Sequence, residues 1–232
     1  MPPNAPHILR DFDAAIDALR NDVLSMASKT RINLERAITA AIDRNPELAN
    51  AVIADDDEVD DLGRSVDHLG MGILSRFRPV ASDLRLVISS MKIAMNLERI
   101  SDHSTSIAKR AKKIGKSGEL PESNMIEPLY TLADQLLRDS IAAYSDNNAE
   151  LGASLHIRDK ELDKLHKQTT ALYSARIDSS IGHAETYVHL ILIVRSLERV
   201  GDLAVNIGED AVYLEAARDL RHTKDRSLDS RE

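Results

Sequence analysis

Leu97-Glu98-Arg99-Ile100-Ser101-Asp102 and Leu197-Glu198-Arg199-Val200-Gly201-Asp202 stand 100 positions apart and decide how the chain is read. Ile107 matches Ile207 at the same offset, and Ser106 stands opposite Asn206. A second repeat lies upstream of each copy. Asp56 and Asp60 recur as Asp159 and Asp163, 103 positions on, and Asp67 extends the first set. An internal repeat of this length makes the 232-residue chain two copies of one unit.

Each unit reads as three helices. In the first, Phe12, Ile16, Leu19, Val23, Met26, Leu34 and Ile38 step mostly by three or four and mark one helical face from about Ile8 to Arg44. Asn45-Pro46 ends it and starts the next, with Asn45 as N-cap and Pro46 at the first helical position. Val52, Val59, Leu62, Val66 and Leu69 point inward until about Arg76, and Pro79 breaks the pattern. A third helix covers about Ser82 to Ile114. Gly115-Lys116-Ser117-Gly118 and Pro121 then form the clearest linker. After it, helices are expected over about Glu122–Ser145, Ala149–Arg176 and from Gly182 to about Arg218, with a turn at Asp146-Asn147-Asn148. The expected architecture is all-α: two tandem three-helix bundles of long antiparallel helices, over 1–118 and 119–220, with a charged, disordered tail over 221–232.

Composition supports this and narrows the chemistry. Apolar residues are 43% and aromatics 3%, so Leu, Ile, Val and Ala must fill the core, as helix-on-helix packing allows. No cysteine is present, which excludes disulfides, zinc–thiolate sites, iron–sulfur clusters and thiol catalysis. The formal net charge of −8 argues against a nucleic-acid binder, which needs a basic face. The apolar run Val188–Val194 is too short to cross a bilayer, which needs about 20 residues. The amino terminus has neither the basic start nor the apolar stretch of a signal peptide, so a cytoplasmic protein is expected. Neither a phosphate-binding glycine loop nor a Gly-x-Ser-x-Gly elbow occurs.

The chemistry therefore rests on the carboxylates. Asp56/Asp60, Glu98/Asp102, Asp159/Asp163 and Glu198/Asp202 are all i, i+4 pairs, which share a helix face about 5–6 Å apart at Cβ. Two such helices side by side gather four like charges. Oxygen-seeking cations such as Mg²⁺, Ca²⁺, Mn²⁺ or iron would compensate them. Solvated acidic faces, copied along with the fold, are the competing reading. Arg99 and Arg199 could pair with the carboxylates directly.

Other residues are weighed against plainer roles. Asp163-x-x-His166 has the spacing found in di-iron bundles, but Gly63 stands at the matching place, so His166 reads as a surface residue. His103 follows Asp102 and points about 100° away, as a supporting or surface residue. His183 and His189 read as capping or solvent-exposed residues. Lys109-Arg110-Ala111-Lys112-Lys113 suits the negative end of a helix, and Leu190, Leu192 and Ile193 read as core.

Taken together these stretches resemble the PhoU family. Leu97–His103 and Leu197–Asp202 with Asn206-Ile207 are similar to its two last-helix motifs. Arg78–Arg85 is similar to its connecting segment, and the Asp56/Asp60 and Arg158-Asp159/Asp163 stretches to its middle helices. The resemblance runs from His7 to about His222. It implies metal held by Asp56, Asp60, Glu98 and Asp102 in one half and by Asp159, Asp163, Glu198 and Asp202 in the other. The ions implied are divalent or trivalent, in multinuclear clusters: iron, manganese, zinc or magnesium. Ser101 and Ser106 depart from the family pattern, which favours the second set. The resemblance further implies a cytoplasmic, non-enzymatic and dimeric negative regulator of the phosphate-starvation response and of phosphate uptake. Its implied partners are the ATPase of a phosphate ABC transporter and a sensor histidine kinase, with membrane association only through them. A metal-dependent phosphohydrolase or oxidase, and a metal-free helical adaptor, are the rival expectations.

Overall fold

The computed structural model describes residues 5–115, 121–179, 183–218 and 220. Their regular structure is entirely helical: α1 (Ala5–Ile42), α2 (Pro46–Phe77), α3 (Ala81–Ile114), α4 (Ile126–Ser145), α5 (Ala149–Ser179) and α6 (Ala184–Ala216). A 3₁₀ turn over Pro121–Met125 precedes α4, so the fourth α-helix begins later than its sequence pattern suggests. The linker beyond Gly115 and the tail beyond Leu220 lie outside the described residues. Leu220, the last residue of the expected second bundle, is buried beside Ala153 and Val212.

The turns carry the duplication as plainly as the helices do. Asn45 caps α2 by accepting the Leu48 N–H at 2.9 Å. Asn148 accepts the Leu151 N–H at 2.9 Å, 103 residues later. Before each cap sits a left-handed residue, Arg44 (φ 54°) or Asn147 (φ 51°). Each asparagine N–H then closes a wide turn onto the preceding helix, to the Ala40 and Ala143 carbonyls at 3.0 and 2.8 Å. These bonds satisfy helix ends that would otherwise stay open.

α1, α2 and α3 pack on one another, as do α4, α5 and α6. The two sets are joined along an extensive α3–α6 seam, and α1 also touches α4. One apolar cluster runs through all six helices and includes Leu34, Val59, Leu97 and Ile107 with Leu137, Leu162, Leu197 and Ile207. The face expected from α1 is buried at Leu19, Val23, Met26, Leu34 and Ile38. Phe12 and Ile16 lie partly buried against it. Leu190 and Ile193 are core, whereas Leu192 is only half-buried.

Polar ties reinforce the seam. The Ser90 and Tyr144 hydroxyls are hydrogen-bonded at 2.7 Å inside it. Arg31 reaches across to the buried Asp134 at 2.8 Å, which Arg138 approaches at 3.1 Å. Arg85 donates to the Leu214 carbonyl at 3.0 Å.

α5 meets α6 where Gly152 faces Gly208. A Cβ on Gly152 would lie 2.6 Å from the Gly208 carbonyl oxygen, a backbone atom that cannot rotate away. Gly72, in contrast, has open space around its Cβ direction. Overpacking costs about 1–3 kcal/mol and alanine gains about 1 kcal/mol over glycine in a helix interior. Gly152→Ala is therefore expected to lose about 1–2 kcal/mol and Gly72→Ala to gain about 0.5–1 kcal/mol, read as opposite shifts of the urea midpoint at constant m.

Candidate metal centres

α3 and α6 are the most enclosed helices, because each packs on two partners of its own half and on the other. Along the motif stretch, only one stripe of α3 stays open: Met95, Glu98, Arg99, Asp102 and Lys109. The motif acids are on that stripe because i, i+3 and i+4 positions line one side of a helix. α2 runs antiparallel beside it and brings up Asp56 and Asp60.

Two contacts fix the register. The Ser101 hydroxyl donates to Asp56 Oδ1 at 2.7 Å. One turn away, Gly63 leaves its place free beneath Glu98, whose Oε2 would be 3.5 Å from a Cβ there. The carboxylates sense one another. The Glu98 carboxyl is raised above its ordinary pKa by burial first, then by Asp60, Asp102 and Asp67. Asp60 is raised by burial, Asp56, Asp102 and Asp57, against a lowering by Arg64. Asp102 is raised by burial and Asp56, with Lys109 and Arg99 opposing. Asp67 thus belongs to the acidic neighbourhood of Glu98.

The second half repeats the arrangement with a different lock. A Cβ on Gly201 would run into Leu162 Cδ2 and lie 2.9 Å from Asp159 Oδ1. Glycine thus lets α5 approach α6 where the first half has Ser101 hydrogen-bonded to Asp56. The substitution that sets the copies apart is a change in how the middle aspartate is held. The Glu198 carboxyl is raised by burial and by Asp202, against lowering by Arg199 and His166, with Asp163 adding to the rise. Glu198 Oε2 is buried without a hydrogen bond, and Arg199 Nε at 3.4 Å gives it only an ion pair. Arg199 also donates to Asp202 Oδ2 at 3.0 Å. Asp163 and Asp202 are half-buried.

The histidines depart from their expected places. His166, read as a surface residue, is half-buried and near enough to act on Glu198. His103 sits half-buried between the halves. Burial and the charges of Arg99, Arg199 and Arg110 push its pKa down. Sequence reasoning could not bring Arg199 to it, since only the α3–α6 seam does. His183 precedes α6 but makes no side-chain cap bond. His189 is neither cap nor exposed, since both ring nitrogens are buried without hydrogen bonds, and Nε2 lies 3.6 Å from Glu185.

The donor set in both halves is all oxygen and carries excess negative charge, which suits a hard or borderline cation. The orphaned Glu198 oxygen fits the same chemistry. As placed, no three His, Asp or Glu groups among the described residues converge on a point that could hold an ion. A coordination shell would need these carboxylates to rotate inward.

A PhoU domain is matched twice, over residues 23–111 and 126–211. The chain is 34% identical over 222 residues to a phosphate-specific transport system accessory protein PhoU homolog from Pseudomonas putida, covering 93% of this chain and 85% of that protein. It is 30% identical to a PhoU homolog 1 from Thermotoga maritima, covering 90% and 91%. The crystal structure of PhoU from Pseudomonas aeruginosa superposes with a TM-score of 0.86 at 30% identity, covering 89% of this chain and all of that one. PhoU from Streptococcus pneumoniae, at 24% identity, shares the fold with a TM-score of 0.82.

In chelator-treated protein, Glu98→Gln removes one charge from the i, i+4 pair with Asp102 and is expected to stabilise by about 0.2–0.5 kcal/mol at neutral pH. The raised Glu98 pKa means that the folded state holds its proton more tightly than the unfolded chain. The penalty is therefore absent below the usual carboxylate range and grows as pH rises through it. Urea midpoints for wild type and variant should coincide in acid and separate toward neutrality.

Proposed function

The chain belongs to the PhoU family, and on that premise we propose that it is a phosphate-transport accessory regulator. It represses the phosphate-starvation response and restrains uptake when phosphate is plentiful. The observation that carries this reading is the match of whole bundles to whole domains. The two PhoU matches fall on α1–α3 and α4–α6, within a similarity that spans nearly the full length of proteins named for phosphate-specific transport. Its partners in this reading are the ATPase of a phosphate ABC transporter and the sensor kinase of the phosphate regulon. No helix among the described residues is long and apolar enough to cross a membrane. Membrane association would run through those partners, with a cytoplasmic homodimer as the working form.

The role is binding, not catalysis. The duplicated carboxylates lie on open helical faces that suit recognition. Signalling then requires that one transporter conformation bind this chain better than another, because a partner with equal affinity for both states shifts nothing. Asp56, Asp60, Glu98 and Asp102 would hold cations across α2 and α3, and Asp159, Asp163, Glu198 and Asp202 across α5 and α6. Bound cations would supply charge neutralisation, fixing each middle helix to its last helix and presenting a rigid face.

Two measurements test this. A deletion strain should express a phosphate-responsive reporter in high phosphate, and the wild-type chain should restore repression; repression that persists without the protein would refute the regulatory role. Protein purified without chelator should carry metal by elemental analysis. A saturating cation, at about 100 times its Kd, should add about 2.7 kcal/mol of stability. Asp60→Asn with Asp163→Asn should abolish both metal content and that gain. A metal-free, cation-insensitive wild type would leave a plain helical adaptor.

A further inference from the structure

The basic run Lys109–Lys113 closes α3, and the fold gives it a setting that the helix dipole does not explain. α3 ends against the turn that joins α1 to α2: a Cβ on Gly115 would lie 3.6 Å from the Arg44 carbonyl oxygen and 3.9 Å from the Arg44 side chain. Where the end of α3 meets the start of α2, a cavity of about 520 Å³ opens. Among the described residues it is lined by Lys109, Lys112, Lys113, Gly115 and Pro46. Lys112 and Lys113 stand three and four residues after Lys109, so all three lysines share one side of the helix.

Among the described residues, none of the three lysines forms an ion pair. Lys109 acts on Asp102 only from farther off. Asp43 and Glu47, the acids nearest Pro46 in sequence, pair with none of them. Cations in the last turn of a helix offset its dipole, which accounts for Lys112 and Lys113. That field fades within one turn, so it does not reach Lys109. Like charges at i, i+3 and i+4 also repel one another, a cost that a helix end has no need to carry.

A need of the fold would show in both copies. At the matching positions α6 carries Glu209, Val212 and Tyr213, and α5 has Ala149 in place of Pro46. There Val212 is buried with Ala153 and Leu220, and Ala149 packs against them. The second half closes this end with apolar contacts, whereas the first keeps three cations around an open space.

We propose that the cavity between the end of α3 and the start of α2 binds a small anion that carries two or more linked phosphate groups. Its volume falls within the range of about 300–1,000 Å³ typical of small-molecule sites. Three ammonium groups on flexible stems can follow successive phosphates, each acting as a point charge. A single orthophosphate leaves part of that charge unmatched. The lysine stems and the Pro46 ring make the walls partly apolar, so the ligand can carry an organic group beside its phosphates. Free condensed phosphate and a nucleotide share this chemistry. The proposal rests on neither the carboxylate sites nor the regulatory partners.

The test uses the full-length protein treated with chelator, so that no cation can bridge a phosphate to the acidic faces. Calorimetric titration with tripolyphosphate should show one saturable site at physiological ionic strength, where loose surface attraction is screened. Lys109→Gln with Lys113→Gln changes two exposed residues and should weaken binding about tenfold. Lys109→Arg with Lys113→Arg should retain it. Lys160→Gln with Lys164→Gln removes the same charge from exposed i, i+4 positions of α5 and should leave binding unchanged. Citrate, a carboxylate polyanion, should bind about tenfold more weakly than tripolyphosphate. Titration with ATP separates the two sources: tighter binding than tripolyphosphate assigns the site to a nucleotide and weaker binding to inorganic condensed phosphate, and both uphold it. Absence of saturable binding to either, equal weakening by the two glutamine pairs, or equal affinity for citrate would overturn the proposal.

Discussion

The burial of α3 and α6 on three sides each is the constraint on which the remaining features depend. A helix packed against two neighbours of its own half and a third from the other half has only a narrow stripe left to face water. On α3 that stripe is Met95, Glu98, Arg99, Asp102 and Lys109. Off that stripe a motif acid of α3 would be buried and would need a partner to offset a cost of several kcal/mol, as buried Asp210 of α6 has in Lys92. The seam thus decides where acidity is tolerated. The antiparallel approach of α2 and α5 then gathers the middle-helix aspartates to the same place.

Gathering like charges weakens the metal-free fold. Burial and mutual repulsion raise Asp60, Glu98, Asp102 and Glu198 together. These acids sit on otherwise well-packed helices, so the strain is local and can be relieved by cations or by basic partner groups. Either would couple binding to the rigidity of the helix pair. That coupling is what a regulatory module needs if its affinity for one partner is to depend on what else is bound.

The copies have diverged where they are locked and where they are exposed. Ser101 and Gly201 solve the same packing problem in two ways: one holds Asp56 by a hydrogen bond, and the other gives up its side chain so that Leu162 and Asp159 can close in. The turn asparagines, Asn45 and Asn148, did not diverge, because the left-handed residue before each cap and the wide turn leave little choice. Exposed Met71 and Met95 and the surplus acids of residues 55–61 have no counterparts at the matching positions of the second half.

The sequence by itself determined the six helices, their duplication and the acidic pairs. Those features are written in local spacing: apolar steps of three and four, Asn-Pro at a helix boundary, and carboxylates at i, i+4. It also carried the PhoU resemblance, which the two domain matches bear out. It could not place the two bundles on one continuous core, since the α3–α6 seam joins residues 100 positions apart through contacts with no local signal. For the same reason only the tertiary structure put His103 among arginines of both halves and left the ring nitrogens of His189 buried. It also explained Ser101 as a hydrogen-bond donor to Asp56. Periodicity says which residues share a face. What stands opposite that face depends on long-range packing, and that is set by the whole chain.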